Sequence, residues 1–307
     1  MKSTMKSNDL SGSGTSSGTS SGTTAKPSPA PMAGRIALIT GANTGIGRIT
    51  ALELARSGAH VFIATRSLAR TQAVLDEISQ AGGQAEWLAL DLGDLDSVRQ
   101  CAAQFLARNL PLHLLINNAG QAGGRGLTAS GFEAAFGTNH IGHFLLTQRL
   151  LDCLKASSPA RIITIASKAH YGAKSIDWAA LQQPTRSRTG FPEYSVSKLA
   201  NVLFSAELAR RLQGTGVTTY ALHPGVIASD IWRAVPGPLR ALIKLFMIST
   251  EQGAATTLYC ATASSLASET GLYYDQCRAK TPSALAQDSA LAAQLWQRSE
   301  AWVETTT

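Results

Sequence analysis

Long apolar runs are missing from this chain of 307 residues. No stretch approaches the ~20 consecutive apolar residues that a membrane-crossing helix needs. Lys2 and Lys6 have no apolar segment behind them, so no secretory signal is expected. Basic clusters are missing as well. The net charge of +7 is scattered, with no Lys/Arg run, zinc-finger spacing or aromatic platform, so no nucleic-acid partner is expected. The positive balance reads as a mild preference for anionic ligands or surfaces. Cysteine is scarce: Cys101, Cys153, Cys260 and Cys277 lie far apart. They show neither metal-ligand spacing nor a disulfide framework, so no metal site is expected and a reducing, cytoplasmic setting fits. No internal repeat is visible.

What is present is a core. Hydrophobic residues make up 44% of the chain, enough for a globular protein of one large or two small domains. Residues 1–33 are Ser, Gly, Thr and Pro with almost nothing to bury, and are expected to form a disordered tail. Residues 34–307 are expected to form one folded domain.

That domain alternates strand and helix patterns. Arg35 to Thr40 reads as a short buried strand, followed at once by Gly41-Ala42-Asn43-Thr44-Gly45-Ile46-Gly47 and a helical run to Ser57. Strand, glycine turn and helix are the context a dinucleotide needs: glycines let the backbone approach a pyrophosphate, which rests on the helix's free N–H groups. The spacing is Gly-x-x-x-Gly-x-Gly. The second strand, His60 to Thr65, runs into Arg66, with Arg70 a turn later. A carboxylate there would repel a ribose 2′-phosphate, whereas a guanidinium can hold one. NADP(H) is therefore the expected cofactor; the alternative is that Arg66 stacks on the adenine or faces solvent. A third strand, Ala85 to Leu90, ends in Asp91-Leu92. Asp91 either meets the adenine edge with its neighbour's backbone or caps the next helix. The fourth, Leu112 to Ile116, ends in Asn117-Asn118-Ala119-Gly120, where open α/β sheets bind ligands.

A helix is expected from Ser130 to Leu151. It carries Asn139 among apolar residues, where an amide needs a partner, either the backbone or a site. The strand Arg161 to Ala166 ends at Ser167. Lys168 to Glu193 reads as a polar surface excursion. Tyr194 to Leu212 then shows helical spacing, so Tyr194 and Lys198, four apart, share one side. A positive charge beside a phenol favours the phenolate and lowers its pKa, which makes the pair a candidate acid/base. The sixth strand, Val217 to Leu222, ends in His223-Pro224-Gly225-Val226-Ile227. Residues 236–248 form a short apolar helix pattern: a lid over an apolar substrate, a peripheral membrane contact, or packing on the body. Helix patterns at Thr250 to Ala263 and Ser283 to Val303 close the chain.

Taken together, Thr40-Gly41-x-x-x-Gly45-x-Gly47, Asn117-Asn118-Ala119-Gly120, Asn139, Ser167, Tyr194-x-x-x-Lys198 and His223-Pro224-Gly225 resemble the short-chain dehydrogenase/reductase family, in its order, over residues 34–278. Asn139 to Thr147, Tyr194 to Asn201, Gly271-Leu272-Tyr273-Tyr274 and Leu295-Trp296 resemble its retinol-dehydrogenase-like branch. The resemblance implies a single Rossmann-type domain, a doubly wound parallel sheet with helices on both faces. It implies an NADP(H)-dependent oxidoreductase interconverting a carbonyl and an alcohol on a small apolar substrate: a retinal-like molecule, a lipid aldehyde or a ketosteroid. Tyr194 would exchange the proton and Ser167 would hold the substrate oxygen. Lys198 would lower the Tyr194 pKa and bind the nicotinamide ribose. Asn139 would hold a water linking Lys198 to solvent. Gly41, Asn43, Thr44, Gly45, Ile46, Gly47, Arg66, Asp91, Leu92, Asn118, Ala119, Gly120, Pro224, Gly225 and Ile227 would line the cofactor with Tyr194 and Lys198. A homodimer or homotetramer through the helices carrying Asn139 and Tyr194 is also implied. Two departures are Ala166, where a second serine is frequent, and Ser229, near where a threonine often touches the cofactor. The rival readings are a non-catalytic NADP(H) sensor or scaffold and a carbon–carbon double-bond reductase.

Overall fold

A computed structural model describes residues 31–225 and 249–305. The tail 1–30, Ile227, Ser229 and the apolar pattern at 236–248 lie outside the described residues. The folded part starts slightly before the expected boundary at 34. Met32 is buried, and its N–H donates to the Ser57 carbonyl at 2.8 Å.

Alternation of short apolar runs with amphipathic helices gives the pattern from which parallel sheets are built. The strands are β1 (Ile36–Thr40), β2 (His60–Thr65), β3 (Gln84–Ala89), β4 (Leu114–Asn117), β5 (Ala160–Ile165), β6 (Val217–His223), β7 (Leu272–Asp275) and β8 (Arg278–Lys280). They form one sheet in the order β3-β2-β1-β4-β5-β6-β7-β8. All neighbours pair in parallel except β7 and β8, an antiparallel edge that the hydrophobic pattern did not announce. β1 is fully buried and pairs with β2 on one side and β4 on the other. The strand order reverses there, and a crevice opens outside the carboxyl ends.

The helices are α1 (Gly45–Arg56), α2 (Leu68–Gln80), α3 (Leu95–Leu106), the single turn α4 (Ala134–Phe136), α5 (Gly142–Ala156), α6 (Phe191–Arg211), α7 (Thr250–Thr262) and α8 (Ser289–Thr305). Two apolar clusters cover the two sheet faces. Ile39, Leu54, Ile63 and Tyr220 belong to one, and Leu38, Phe62, Phe144 and Leu203 to the other. The uninterrupted helix expected from Ser130 is instead broken. It begins at Ala134, where the Glu133 carboxylate caps the Ala135 and Phe136 N–H groups at 2.9 Å, and passes through a π turn at Gly137–Ile141. The Lys168–Glu193 excursion is pinned back by buried Ala173, Ile176 and Leu181.

α8 lies along α6. Trp296 stacks on Phe204 with centroids 5.9 Å apart and meets the edge of Phe144 at 5.0 Å; the Arg211 guanidinium sits 4.3 Å above its ring. His140 Nε2 and Ser299 Oγ are 3.0 Å apart. The chain's own C-terminal helix thus packs on both helices that the resemblance offers for subunit pairing. All four cysteines are free.

Candidate active site

β1 delivers the chain into Gly41, whose φ of +68° suits glycine and whose N–H donates to the Ala64 carbonyl at 2.9 Å. A side chain there would come within 2.8 Å of Ala119 Cβ, so the glycine turn and the Asn117–Gly120 turn are in direct contact. The Asn118 side-chain amide joins them, donating to the Thr40 carbonyl at 2.8 Å. Asn43, Thr44, Gly45 and Ile46 follow, and Gly47 packs beneath Asn118. Thr44 is the N-cap of α1 but makes no side-chain cap bond, and a side chain built on Gly45 would meet nothing within 4 Å. An open backbone at a helix N-terminus, with its partial positive charge, is the cradle an anionic pyrophosphate fits. Next to it a cavity of about 430 Å³ is lined by Asn43, Thr65, Arg66, Ser67 and Arg70. Two guanidinium-bearing residues and the Ser67 hydroxyl there can hold an anionic group. Ser67 also caps α2 through the Arg70 N–H, so the cap sets the turn on which both arginines stand.

Asp91 is exposed, and its carboxylate accepts from the Gly93 N–H at 2.9 Å. It shapes the turn after β3. Helix capping, one of the two expectations for it, falls to Asp94, which accepts from the Asp96 N–H at 3.0 Å. Leu92 is buried where Gly142 comes close.

The acid/base candidates converge from three elements. Ser167 follows β5, and its Oγ accepts from the Ala169 N–H at 3.1 Å, leaving the hydroxyl proton free to donate. The Ser167 hydroxyl stands close enough to the Tyr194 phenol to favour its ionised form. Lys198, one turn along α6, is only 3% exposed. Its Nζ lies 5.6 Å from the Tyr194 ring centroid and donates to the Ile165 carbonyl at 2.8 Å, two residues before Ser167.

Electrostatically the pair differs from the expectation. Burial raises the Tyr194 pKa above its ordinary value; the Ser167 hydroxyl opposes this, and Lys198 does not bring it down. The reason is that Lys198 is itself pushed down to about 7 by burial, so its charge is no longer fixed at neutral pH.

Asn139 sits in the π turn, with its amide spent on structure. Its Oδ1 accepts from the Gln121 N–H at 2.8 Å, and its Nδ2 donates to the Gln121 carbonyl at 3.0 Å and to Ser197 Oγ at 2.9 Å. Its amide thus pairs both with backbone and with a side chain next to Lys198. A side chain on Gly120 would lie 3.3 Å from Asn139 Oδ1 and 3.4 Å from Lys198 Nζ, so the bare Gly120 lets these groups draw together. Pro224 and Gly225 follow β6, where burial pushes His223 down to about 4 and its Nδ1 accepts from the Lys168 N–H at 3.4 Å. The Lys168 ammonium is 2.9 Å from the buried Asp275 carboxylate at the end of β7.

Sequence reasoning passed over Gln121, Ser197 and Asn201, whose Nδ2 also donates to the Ile165 carbonyl, at 3.1 Å. Ser197 and Asn201 stand one to three residues from Lys198, and that proximity was the available signal. Nothing in the sequence marked Gln121.

A doubly wound sheet with an anion cradle after β1 and a Ser–Tyr–Lys group past β5 defines a dinucleotide-dependent oxidoreductase site. The short chain dehydrogenase family model matches residues 35–237. Retinol dehydrogenase 12 of Mus musculus is 46% identical over 268 residues, covering 86% of this chain and 84% of that protein. Retinol dehydrogenase 11 of Homo sapiens is 42% identical, covering 88% and 86%. An uncharacterized protein from Mycobacterium paratuberculosis superposes with a TM-score of 0.74 at 35% identity, covering 89% of this chain and 95% of that one. An actinorhodin polyketide ketoreductase variant solved with NADPH superposes with a TM-score of 0.62 at 25% identity, covering 78% and 94%. This chain belongs to the short-chain dehydrogenase family and is retinol-dehydrogenase-like within it. It is a carbonyl/alcohol oxidoreductase with a nicotinamide cofactor.

Proposed function

We propose that the chain uses NADP(H) to interconvert a carbonyl and an alcohol on a small apolar substrate, a retinal-like molecule, a lipid aldehyde or a ketosteroid. The observation that carries this reading is the meeting of the Ser167 and Tyr194 hydroxyls beside the buried Lys198. The nicotinamide, when bound, supplies or accepts the hydride. Ser167 donates its free proton to the substrate oxygen and steadies the charge that develops there. Tyr194, kept protonated by burial, is suited to give a proton to that oxygen when a carbonyl is reduced. Lys198, held to β5 through the Ile165 carbonyl, offers its remaining N–H groups to the ribose and, when charged, eases proton loss from Tyr194. Asn139 orders Gln121 and Gly120 against Lys198. Gly41, Asn43, Thr44, Gly45, Ile46 and Gly47 hold the pyrophosphate, and Arg66 with Arg70 holds the 2′-phosphate. Asp91, Leu92, Asn118, Ala119, Pro224 and Gly225 flank the rest of the cofactor. The residue range 34–307 acts as one domain.

NADPH and NADH oxidation should be followed with a panel of long-chain aldehydes, retinal and ketosteroids, with product analysis. Alcohol formation with a preference for NADPH supports the proposal. NADPH binding without turnover across the panel would favour a sensor, and a saturated carbonyl product would favour double-bond reduction.

A further inference from the structure

We propose that His143 is a positioning residue that acts through the Thr40 hydroxyl to lock the Asn117–Gly120 turn against the π turn carrying Asn139. Hydrogen-bonding rules fix every proton in the chain of contacts. His143 Nδ1 lies 3.0 Å from the Asn139 carbonyl oxygen, which can only accept, so Nδ1 carries the proton. Nε2 is then bare and can only accept. Thr40 Oγ1, 2.8 Å away, must donate to it. The Thr40 oxygen is left to accept, and the two N–H groups that reach it are those of Asn118 at 3.0 Å and Ala119 at 2.9 Å. The Ile116 carbonyl, at 3.5 Å, is a distant competitor for the one hydroxyl proton.

The hydroxyl and the imidazole are both fully engaged. Thr40 and His143 are buried, and burial pushes the imidazole down to about 4, so it stays neutral with one nitrogen donating and one accepting. A hydroxyl able to rotate would still accept from Asn118 and Ala119, but its direction would no longer be set. His143 removes that freedom. It also couples two walls of the crevice, because Asn139 orders Gln121 while Asn118 grips the glycine turn. The π turn brings this about: it carries Asn139, and α5 then places His143 one turn later, facing the end of β1.

The inference rests on the reading that this turn flanks the cofactor, so its test includes a measurement on the protein alone. Amide hydrogen exchange at Asn118 and Ala119, NADPH affinity by fluorescence, and kcat should be compared in wild type, Thr40→Val, Thr40→Ser, His143→Leu, His143→Gln and the Thr40→Val/His143→Leu double variant. Thr40→Val and His143→Leu are each expected to speed exchange at both amides and to weaken NADPH by roughly ten-fold, the scale of one buried hydrogen bond. Thr40→Ser and His143→Gln, which keep a donor and an acceptor, should stay within about three-fold of wild type on the same scale. The double variant should be no weaker than the worse single one, because the residues act in series. Additive losses, or wild-type exchange and affinity in His143→Leu, would overturn the role. So would His143→Gln falling with His143→Leu. If wild type bound no nicotinamide cofactor, the function proposed above would fail, while the exchange data would still decide the clamp.

Discussion

Tyr194 keeps its proton because burial in a low-dielectric site disfavours the phenolate, and the Ser167 hydroxyl opposes this without prevailing. Removing the phenol oxygen should therefore remove the proton donor and little else. Tyr194→Phe is expected to lower kcat for carbonyl reduction by about 10²–10⁴-fold, the usual worth of general acid–base help. Cofactor affinity should hold within a few-fold; stopped-flow turnover and a fluorescence titration check both. Arg66 makes a different kind of contribution. It is exposed at the mouth of a cavity it shares with Arg70, so its worth lies in charge rather than packing. Arg66→Asp should weaken NADPH by at least ten-fold, since a charged hydrogen bond is worth roughly 1.5–3 kcal/mol, and leave NADH nearly unchanged. Equal losses for the two cofactors in parallel titrations would reject a 2′-phosphate contact.

At the scale of elements, the helix that carries Asn139 had the least predictable form. Its apolar spacing reads as continuous from Ser130, yet the chain inserts a π turn at Gly137–Ile141. Right after it, a side chain on Gly142 would meet Leu92 Cβ at 2.9 Å, so α5 starts pressed against the turn after β3. Gly142→Ala forces that contact and should destabilise the fold by about 1–3 kcal/mol, the usual cost of overpacking. Urea denaturation would measure it. By contrast, β2 was legible to the residue, because it is bounded by turn chemistry in its own sequence, with Gly58 before it. The same contrast runs through the site. Ser167, Tyr194 and Lys198 are marked by position at a strand end and by helical spacing. Their electrostatics are not marked, because the depth that lowers Lys198 and raises Tyr194 comes from packing by several elements. The β7–β8 hairpin was hidden for a similar reason, since β8 is three exposed residues with no apolar pattern.

The whole molecule holds several of its histidines neutral. Burial takes His140 to about 3 and His143 and His223 to about 4, and moves His113 and His170 in the same direction. In the unfolded chain they protonate near pH ~6.5, so the unfolded state binds more protons below that value and stability is lost as pH falls from there toward 4. His140, His143 and His223 each cost about 1.4 kcal/mol per pH unit over that window. Thermal unfolding should therefore show a Tm several degrees lower at pH 5 than at pH 7.5, and His223→Asn should shrink the difference. The C-terminal helix is the other global support. A chain ending before Ser289 strips Trp296 from Phe204 and Phe144, leaving an apolar face on α5 and α6. It should elute as large aggregates in light-scattering chromatography under conditions where the full chain does not aggregate. Met32, finally, is fastened beside Ser57, below the start of β1, whereas the reactive groups stand beyond the strands' far ends. An anchor joined directly at Met32 would stand on the side away from the strands' carboxyl ends, so the protein can be immobilised there with its mouth unshaded.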